Sequence, residues 1–419
     1  MTAKALVLRN GSVCDVTAQE VRTGQDVLVV EGKIQAIGEG LRAPKDCAEM
    51  DLDGRHLVPG LIDAHVHVTA GSADLSIQAE DSPFYVAAQA SANLAGMLRR
   101  GFTTVRDVGG ADFGLAAAVR DGLWSGPKVV FGGKALSPTG GHADLRGPGR
   151  QVLDNHSCCP GVGVVCDGVD EVRRTARDQL RTGAAHVKIM LSGGVASPTD
   201  RIDSLQFSAD EVRAVVEEAE NANRYVTGHA YTARAVNRGL ELGVRCIEHG
   251  NLIDDESVQL FLTHDAFLVP TLVTYEFLRS EGAEAGLPVE SQAKVGTVLD
   301  AGLEALERAW RGGVKIAFGT DLLGSMQRHQ SQEFRIRAQV QPAAEILRSA
   351  TVVAAELLGR AGDLGVIAEG AVADMIVLDG NPLADTGVLA LPEQHLVAVI
   401  QDGRIVVDRS RPRDREGLG

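Results

Sequence analysis

The sequence predicts an α/β protein: a TIM-type (β/α)8 barrel with a small β-sandwich domain formed by both chain termini. Three observations carry this expectation. Short strand-like segments fill the first sixty residues, and the same texture returns near the C-terminus. Between these ends, short apolar runs alternate with amphipathic stretches of roughly 10 to 20 residues, the rhythm of a parallel sheet covered by helices. The chain has 419 residues, 44% of them hydrophobic and 23% charged, a globular composition with enough length to bury a large core.

The N-terminal strands are expected at 5–8, 27–30 and 33–37, each bounded by Gly, Asn or charged turns, with no long helix before Pro59. The C-terminal ones are expected at 370–378 and 397–407. Residues 1–60 and 362–419 are therefore assigned to one terminal domain and 61–361 to the barrel. Within the barrel, eight strands are expected at 61–68, 103–108, 128–135, 186–191, 225–230, 246–250, 267–272 and 315–321. Helices fall between them, for instance at 84–100, 169–181, 208–222 and 291–311, where apolar residues recur at three- and four-residue spacing. An open doubly wound sheet shares this periodicity. No GxGxxG follows the first strand and no Walker lysine is present, so the usual nucleotide anchors of an open sheet are missing.

The balance of charge is acidic, with a formal net charge of −15, which argues against a nucleic-acid partner. No apolar run approaches the ~18 residues that span a bilayer, and the opening stretch is too short for a signal-peptide core, so a cytoplasmic protein without a membrane partner is expected. The six cysteines, Cys14, Cys47, Cys158, Cys159, Cys166 and Cys246, form no dense framework. The cluster at 158, 159 and 166 lacks the CxxC spacing of a zinc knuckle.

The chemistry gathers at the expected C-terminal strand ends. The first strand closes on Asp63-Ala64-His65-Val66-His67, and residues i and i+2 share one strand face, so the two imidazoles converge as a metal clamp. His229 closes the fifth strand, His249 the sixth and Asp321 the eighth. In a barrel these ends surround one mouth, where catalytic residues come from several strands. The fourth strand carries Lys188 inside an apolar run, where burial favours the neutral amine. A neutral amine takes up carbon dioxide to give a carbamate, an anionic donor able to bridge two metal ions. His142 lies in a glycine-rich loop after the third strand, and Tyr231 lies two residues beyond His229. Arg146, Glu248 and His329 are weaker candidates: a fork for a substrate carboxylate, an orienter of a neighbouring ligand and a residue at the mouth.

Val58-Pro59-Gly60-Leu61-Ile62-Asp63-Ala64-His65-Val66-His67 resembles the start of the barrel in the amidohydrolase superfamily, and 370–378 resembles its return to the β-sandwich. With Lys188, His229, His249 and Asp321 in matching order, the chain resembles the binuclear subgroup. That resemblance implies one ion held by His65, His67 and Asp321, a second held by His229 and His249, and carbamylated Lys188 bridging them; the metal is usually zinc. The segments 139–144, 191–200 and 228–233 resemble those of prolidase-type dipeptidases and related carboxypeptidases and N-acyl amino acid hydrolases. It implies that His142 polarises or holds the scissile carbonyl, that Tyr231 binds substrate, and that the protein forms homo-oligomers.

The expected reaction is hydrolysis of the amide bond of a dipeptide or N-acyl amino acid, with Xaa-Pro dipeptides first. A hydroxide generated between two metal ions attacks, and Asp321 takes the proton and passes it to the leaving amine. The rivals are an imidazolonepropionase-like cyclic amide hydrolase or deaminase, a carboxypeptidase for other C-terminal residues, and a metal-binding scaffold without turnover. Lys188 argues against the first, because those enzymes generally hold one metal without a bridging lysine.

Overall fold

The structure is a computed structural model and describes residues 5–147, 149, 161–197 and 200–410. The chain divides into two compact units, one of Met1–Ile62, Met97–Thr104 and Pro342–Gly419, the other of Asp63–Gly96 and Val105–Gln341.

The terminal unit is organised on one eight-stranded sheet. Ala5–Asp15 pairs antiparallel with Glu20–Val30 and parallel with Ala48–Asp51 and His56–Pro59. Met375–Leu378 then pairs antiparallel with His56–Pro59, Met375 lying opposite Pro59, so both ends of the chain share this sheet. Alternating side chains explain it: Leu6, Leu8, Val27, Val29, Leu57, Met375 and Val377 are buried in one cluster, as a two-residue strand period requires. The single strand expected at 397–407 is a hairpin, Leu396–Gln401 with Arg404–Asp408. Asp402 and Gly403 between them have φ of 49° and 71°, the left-handed pair that a two-residue hairpin turn demands.

The second unit carries a seven-stranded parallel sheet in the order Gly163–Val165, Ala135–Ser137, His186–Met190, Tyr225–Thr232, Cys246–Leu252, Phe267–Val269 and Lys315–Ile316. A three-stranded sheet joins Leu61–Val66, Phe102–Asp107 and Lys128–Phe131. The fold class is thus mixed α/β with a parallel sheet. The helices begin where the sequence signals them: Ala209–Asn221 starts on a reciprocal capping box between Ser208 and Glu211.

Three strand expectations change in detail. The run 128–135 is broken at Gly132 and Gly133, where a Cβ on Gly132 would stand 2.5 Å from the His186 ring. The strand from Phe267 ends at Val269, because Pro270 has no N–H for the ladder. The eighth strand is regular only over Lys315–Ile316, yet the chain beyond it still bonds to the first: Ala64 N donates to Phe318 O (2.8 Å) and Asp321 N to His65 O (2.8 Å). The strand Gly163–Val165 was not expected. Among the described residues no helix is long and apolar enough to cross a membrane. Cys14, Cys166 and Cys246 are buried and free, and Cys47 is free and half-buried; Cys158 and Cys159 lie outside the described residues.

Candidate metal centre and substrate cavity

His65, His67 and Asp321 meet at one point. Both Nε2 atoms lie 3.3 Å from Asp321 Oδ1. The opposite ring nitrogens are already committed: His65 Nδ1 donates to Glu248 Oε2 at 2.7 Å, and His67 Nδ1 to the Gly109 carbonyl at 2.7 Å. Each imidazole therefore turns its Nε2 inward, the nitrogen that a metal ligand would offer. Although burial pushes the Asp321 carboxyl upward, the surrounding imidazoles hold it well below the usual carboxylate range. Two imidazole nitrogens and one carboxylate, all within 4.8 Å, form a donor set that fits a divalent ion such as zinc, manganese or cobalt.

His229 and His249 adjoin this cluster, their ring centroids 4.6 Å apart and His249 5.0 Å from His65. Strand alternation should send Glu248 and His249 to opposite faces. His249 escapes it with a φ of 76°, so both side chains serve the same site. Asp321 is likewise in the left-handed region, at 53°. Backbone in this region costs of order 1–3 kcal/mol for a non-glycine residue and concentrates at functional sites. His249 Nδ1 bonds Thr271 Oγ1 (2.8 Å) and Tyr275 OH (2.9 Å) and lies 4.0 Å from Asp321 Oδ2. In His229 it is Nε2 that is engaged, donating to the Gly193 carbonyl at 3.2 Å.

Lys188 sits in the fully buried His186–Met190 strand, paired in register with Thr227. Burial pulls its ammonium down to about 8, against the opposing pull of Glu248 and Asp321. Its amine is thus neutral in an appreciable fraction near neutral pH.

Beneath the cluster lies an ionic network that the sequence did not disclose. Arg106 is fully buried and donates to Glu248 Oε1 at 2.6 Å, while Glu248 also accepts from Thr227 Oγ1. Burial raises the Glu248 carboxyl, but Arg106 and His65 outweigh it and keep it well below the usual range. The weak candidate Glu248 is therefore the orienter of His65, on a strand of the other sheet, and not of its neighbour His249.

The cavity above is lined by His65, His67, His142, Lys188, His229, Tyr231, His249, Tyr275 and Asp321, with Leu75, Met190, Val195, Leu278 and Leu323 as apolar wall. His142 stacks on His229 at 4.1 Å, and burial draws its pKa down to about 4. Gly194 makes the stacking feasible, since a Cβ there would lie within 2.1 Å of the His142 ring. Tyr231 is buried with its hydroxyl 3.1 Å from that of Tyr275. Arg146 and His329 are not among the lining residues. Arg146 grips Asp144 with two bonds of 2.7 and 2.6 Å, and His329 bonds Glu281 at 2.9 Å while stacking on Phe277. Arg106, Tyr275, Ser197 and Asp200 are the site residues that sequence reasoning missed. For Arg106 the available signal was the one that found Lys188, a charge inside an apolar run.

The model of the amidohydrolase family matches residues 56–406. The chain belongs to the amidohydrolase family. This amidohydrolase is 33% identical to the ochratoxinase of Aspergillus niger over 410 residues, covering 93% of this chain and 84% of that protein. A solved prolidase in complex with N-methylphosphonate-L-proline superposes with a TM-score of 0.94 at 48% identity, over 96% of this chain and 100% of that one. A Xaa-Pro dipeptidase with methionine bound in its active site superposes at 0.85 and 30% identity, over 96% and 99% of the two chains. Family and relatives together make this protein a hydrolase of amide bonds acting on small molecules.

Proposed function

We propose that this amidohydrolase is a binuclear metal-dependent dipeptidase that releases proline from Xaa-Pro dipeptides. The observation that carries the reading is the convergence of His65, His67 and Asp321 beside His229, His249 and a buried Lys188. Similarity to a prolidase and a Xaa-Pro dipeptidase over nearly the whole chain supports the choice of substrate.

His65, His67 and Asp321 would hold one ion, His229 and His249 the other, with Lys188 between them. Two divalent ions there, zinc in this proposal, would supply Lewis acidity toward the scissile carbonyl and acidify water at neutral pH. The Lys188 amine, in its neutral form, bonds to carbon dioxide and releases one proton, becoming an anionic carbamate. Asp321 accepts the proton lost by the attacking water and delivers it to the ring nitrogen of the departing proline. Tyr231 donates its hydroxyl to substrate oxygen, and His142 grips the substrate from the 139–144 loop. Leu75, Leu278 and Leu323 keep bulk water from the reacting bond. Arg146 reaches a substrate carboxylate only by exchanging Asp144 for it.

We also propose the finer architecture: a closed (β/α)8 barrel over 61–361, and a β-sandwich of 1–60 with 362–419. The bonds from Ala64 to Phe318 and from Ala185 to Phe131 (2.9 Å) support closure, because they join the three-stranded sheet to the chain beyond Lys315–Ile316 and to the chain entering His186–Met190.

The apolar wall and the similarity to ochratoxinase favour one second reading, hydrolysis of N-acyl amino acids. Amino-acid release from a panel of Xaa-Pro, Xaa-Arg and N-acyl amino acids, with zinc-loaded protein and bicarbonate, separates the two. Preferential release of proline is the expected result. Cleavage confined to N-acyl amino acids overturns the proline assignment.

A further inference from the structure

The chain that follows the His186–Met190 strand borders the site at several points. Gly193 O accepts from His229 Nε2 at 3.2 Å, Gly194 lies against the His142 ring, and Val195 and Ala196 line the cavity. Its base is tied by backbone: Gly193 N donates to Ser204 O (3.1 Å) and Gln206 N to Leu191 O (2.9 Å). Past that base, Gly194–Ser197 and Asp200 belong to no helix or strand. What holds them is a side chain from elsewhere. The carbonyls of Gly194, Ser197 and Asp200 turn to one point, and the Lys294 ammonium fills it, donating to them at 3.0, 2.9 and 2.7 Å. All three ammonium hydrogens are thereby used. The buried Asp200 carboxylate adds Oδ1 at 3.6 Å from the same nitrogen. Lys294 itself has a fixed base in the Val289–Arg311 helix, where Val295 and Val298 are buried and Asn251 Nδ2 donates to Val298 O at 2.9 Å. It is not among the residues that line the cavity.

We infer that Lys294 is a positioning residue, a tethered cation that fills a cage of three carbonyls and one carboxylate and so fixes the Gly193–Ser197 wall of the substrate cavity. Oxygens that converge on one point are held there by the cation between them and part when it is lost. An apolar side chain of the same length fills the space yet leaves all four oxygens without a donor, so the wall opens to admit water. The cage is made for a small monovalent cation. Ammonium or potassium can enter it in place of the side chain, whereas tetramethylammonium has no N–H to donate and is too bulky. The kinetic consequence rests on the hydrolytic reading above; the hold on the wall does not depend on which amide is cleaved.

Full-length, zinc-loaded Lys294→Met tests this in two ways. The first is kinetic, with alanyl-proline or whichever member of the panel above is cleaved. KM should rise about tenfold, the scale of one lost charge-assisted hydrogen bond, with kcat changing less and metal content equal to that of the parent. Ammonium or potassium chloride should return part of the lost KM, and tetramethylammonium chloride at the same ionic strength should not. Lys294→Gln, whose amide can serve two of the three carbonyls, should fall between parent and Lys294→Met, and it carries the test if the methionine variant does not fold. The second is amide hydrogen exchange read by mass spectrometry, which needs no substrate. Exchange should quicken in peptides covering 191–206 and stay unchanged in the Val289–Arg311 helix. An unchanged KM, an equal response to the three salts, unchanged exchange over 191–206, or protection lost throughout the helix overturns the inference. If the parent cleaves no member of the panel, the hydrolytic reading fails alone, and the exchange comparison still decides the role of Lys294.

Discussion

The terminal sheet and the site-bearing sheet use strand alternation to opposite ends. In the first, Leu6, Leu8, Val27 and Val29 turn apolar groups to a common core. In the second, Lys188 and Glu248 are buried on strands of the same alternation, and the three-stranded sheet bonded to it buries His65 and Arg106. Burying such groups is tolerable only where each has a partner. A hydrophobic core fails gradually as atoms are removed, whereas a buried ionic network fails when one member is lost. Backbone differs too: Asp402 and Gly403 take left-handed conformations to make a turn, while His249 and Asp321 take them to aim side chains.

This contrast is sharpest in activity. Asp321→Asn should lower kcat by roughly 10³-fold, the scale of a lost general acid–base group, while leaving the fold intact. Steady-state proline release with circular dichroism checks both halves, and unchanged turnover would refute the mechanism. Lys188→Ala should also lose most activity, and short carboxylates or bicarbonate should return part of it; full activity with one metal per chain counts against the bridge.

Stability separates the two regions next. Arg106→Met leaves Glu248 as an unpaired buried charge and should cost about 3–5 kcal/mol by urea unfolding, with loss of bound metal. The double variant with Glu248→Gln should recover part of that loss. Leu8→Ala in the terminal sheet should cost about 2–5 kcal/mol yet leave metal content unchanged. Equal metal loss in both would dissolve the distinction.

The smallest effect belongs to Asp26 in the terminal unit. Burial raises its carboxyl, but bonds from Asn10 N, Arg9 and Leu41 N hold it below its ordinary value. A depressed folded pKa contributes stability above the unfolded pKa of about 3.9 and loses it as pH falls through the folded value. Asp26→Asn should therefore cost about 1 kcal/mol at pH 7 and progressively less in acid, as paired thermal melts will show. A penalty independent of pH would contradict this.

The sequence disclosed residues whose type and period agree. His65 and His67 announce themselves by i, i+2 spacing, and Lys188 by charge within an apolar run. It did not disclose partners set by three-dimensional register. Glu248 lies beside His229 on the neighbouring strand but reaches His65, 183 positions away, and Ser197 acts on His142 from 55 positions away. Tyr275 enters the cavity from the Leu272–Glu281 helix, whose sequence carries no mark distinguishing it from a packing residue. Strand limits failed where glycine or proline interrupts a ladder, at Gly132, Gly133 and Pro270.

Metal content and turnover measured on one sample decide whether this amidohydrolase is a binuclear enzyme that releases proline. Two divalent ions per chain, proline release that disappears on chelation, and recovery with zinc and bicarbonate are expected. Undiminished turnover after complete removal of metal, or full activity with a single ion per chain, would contradict this reading.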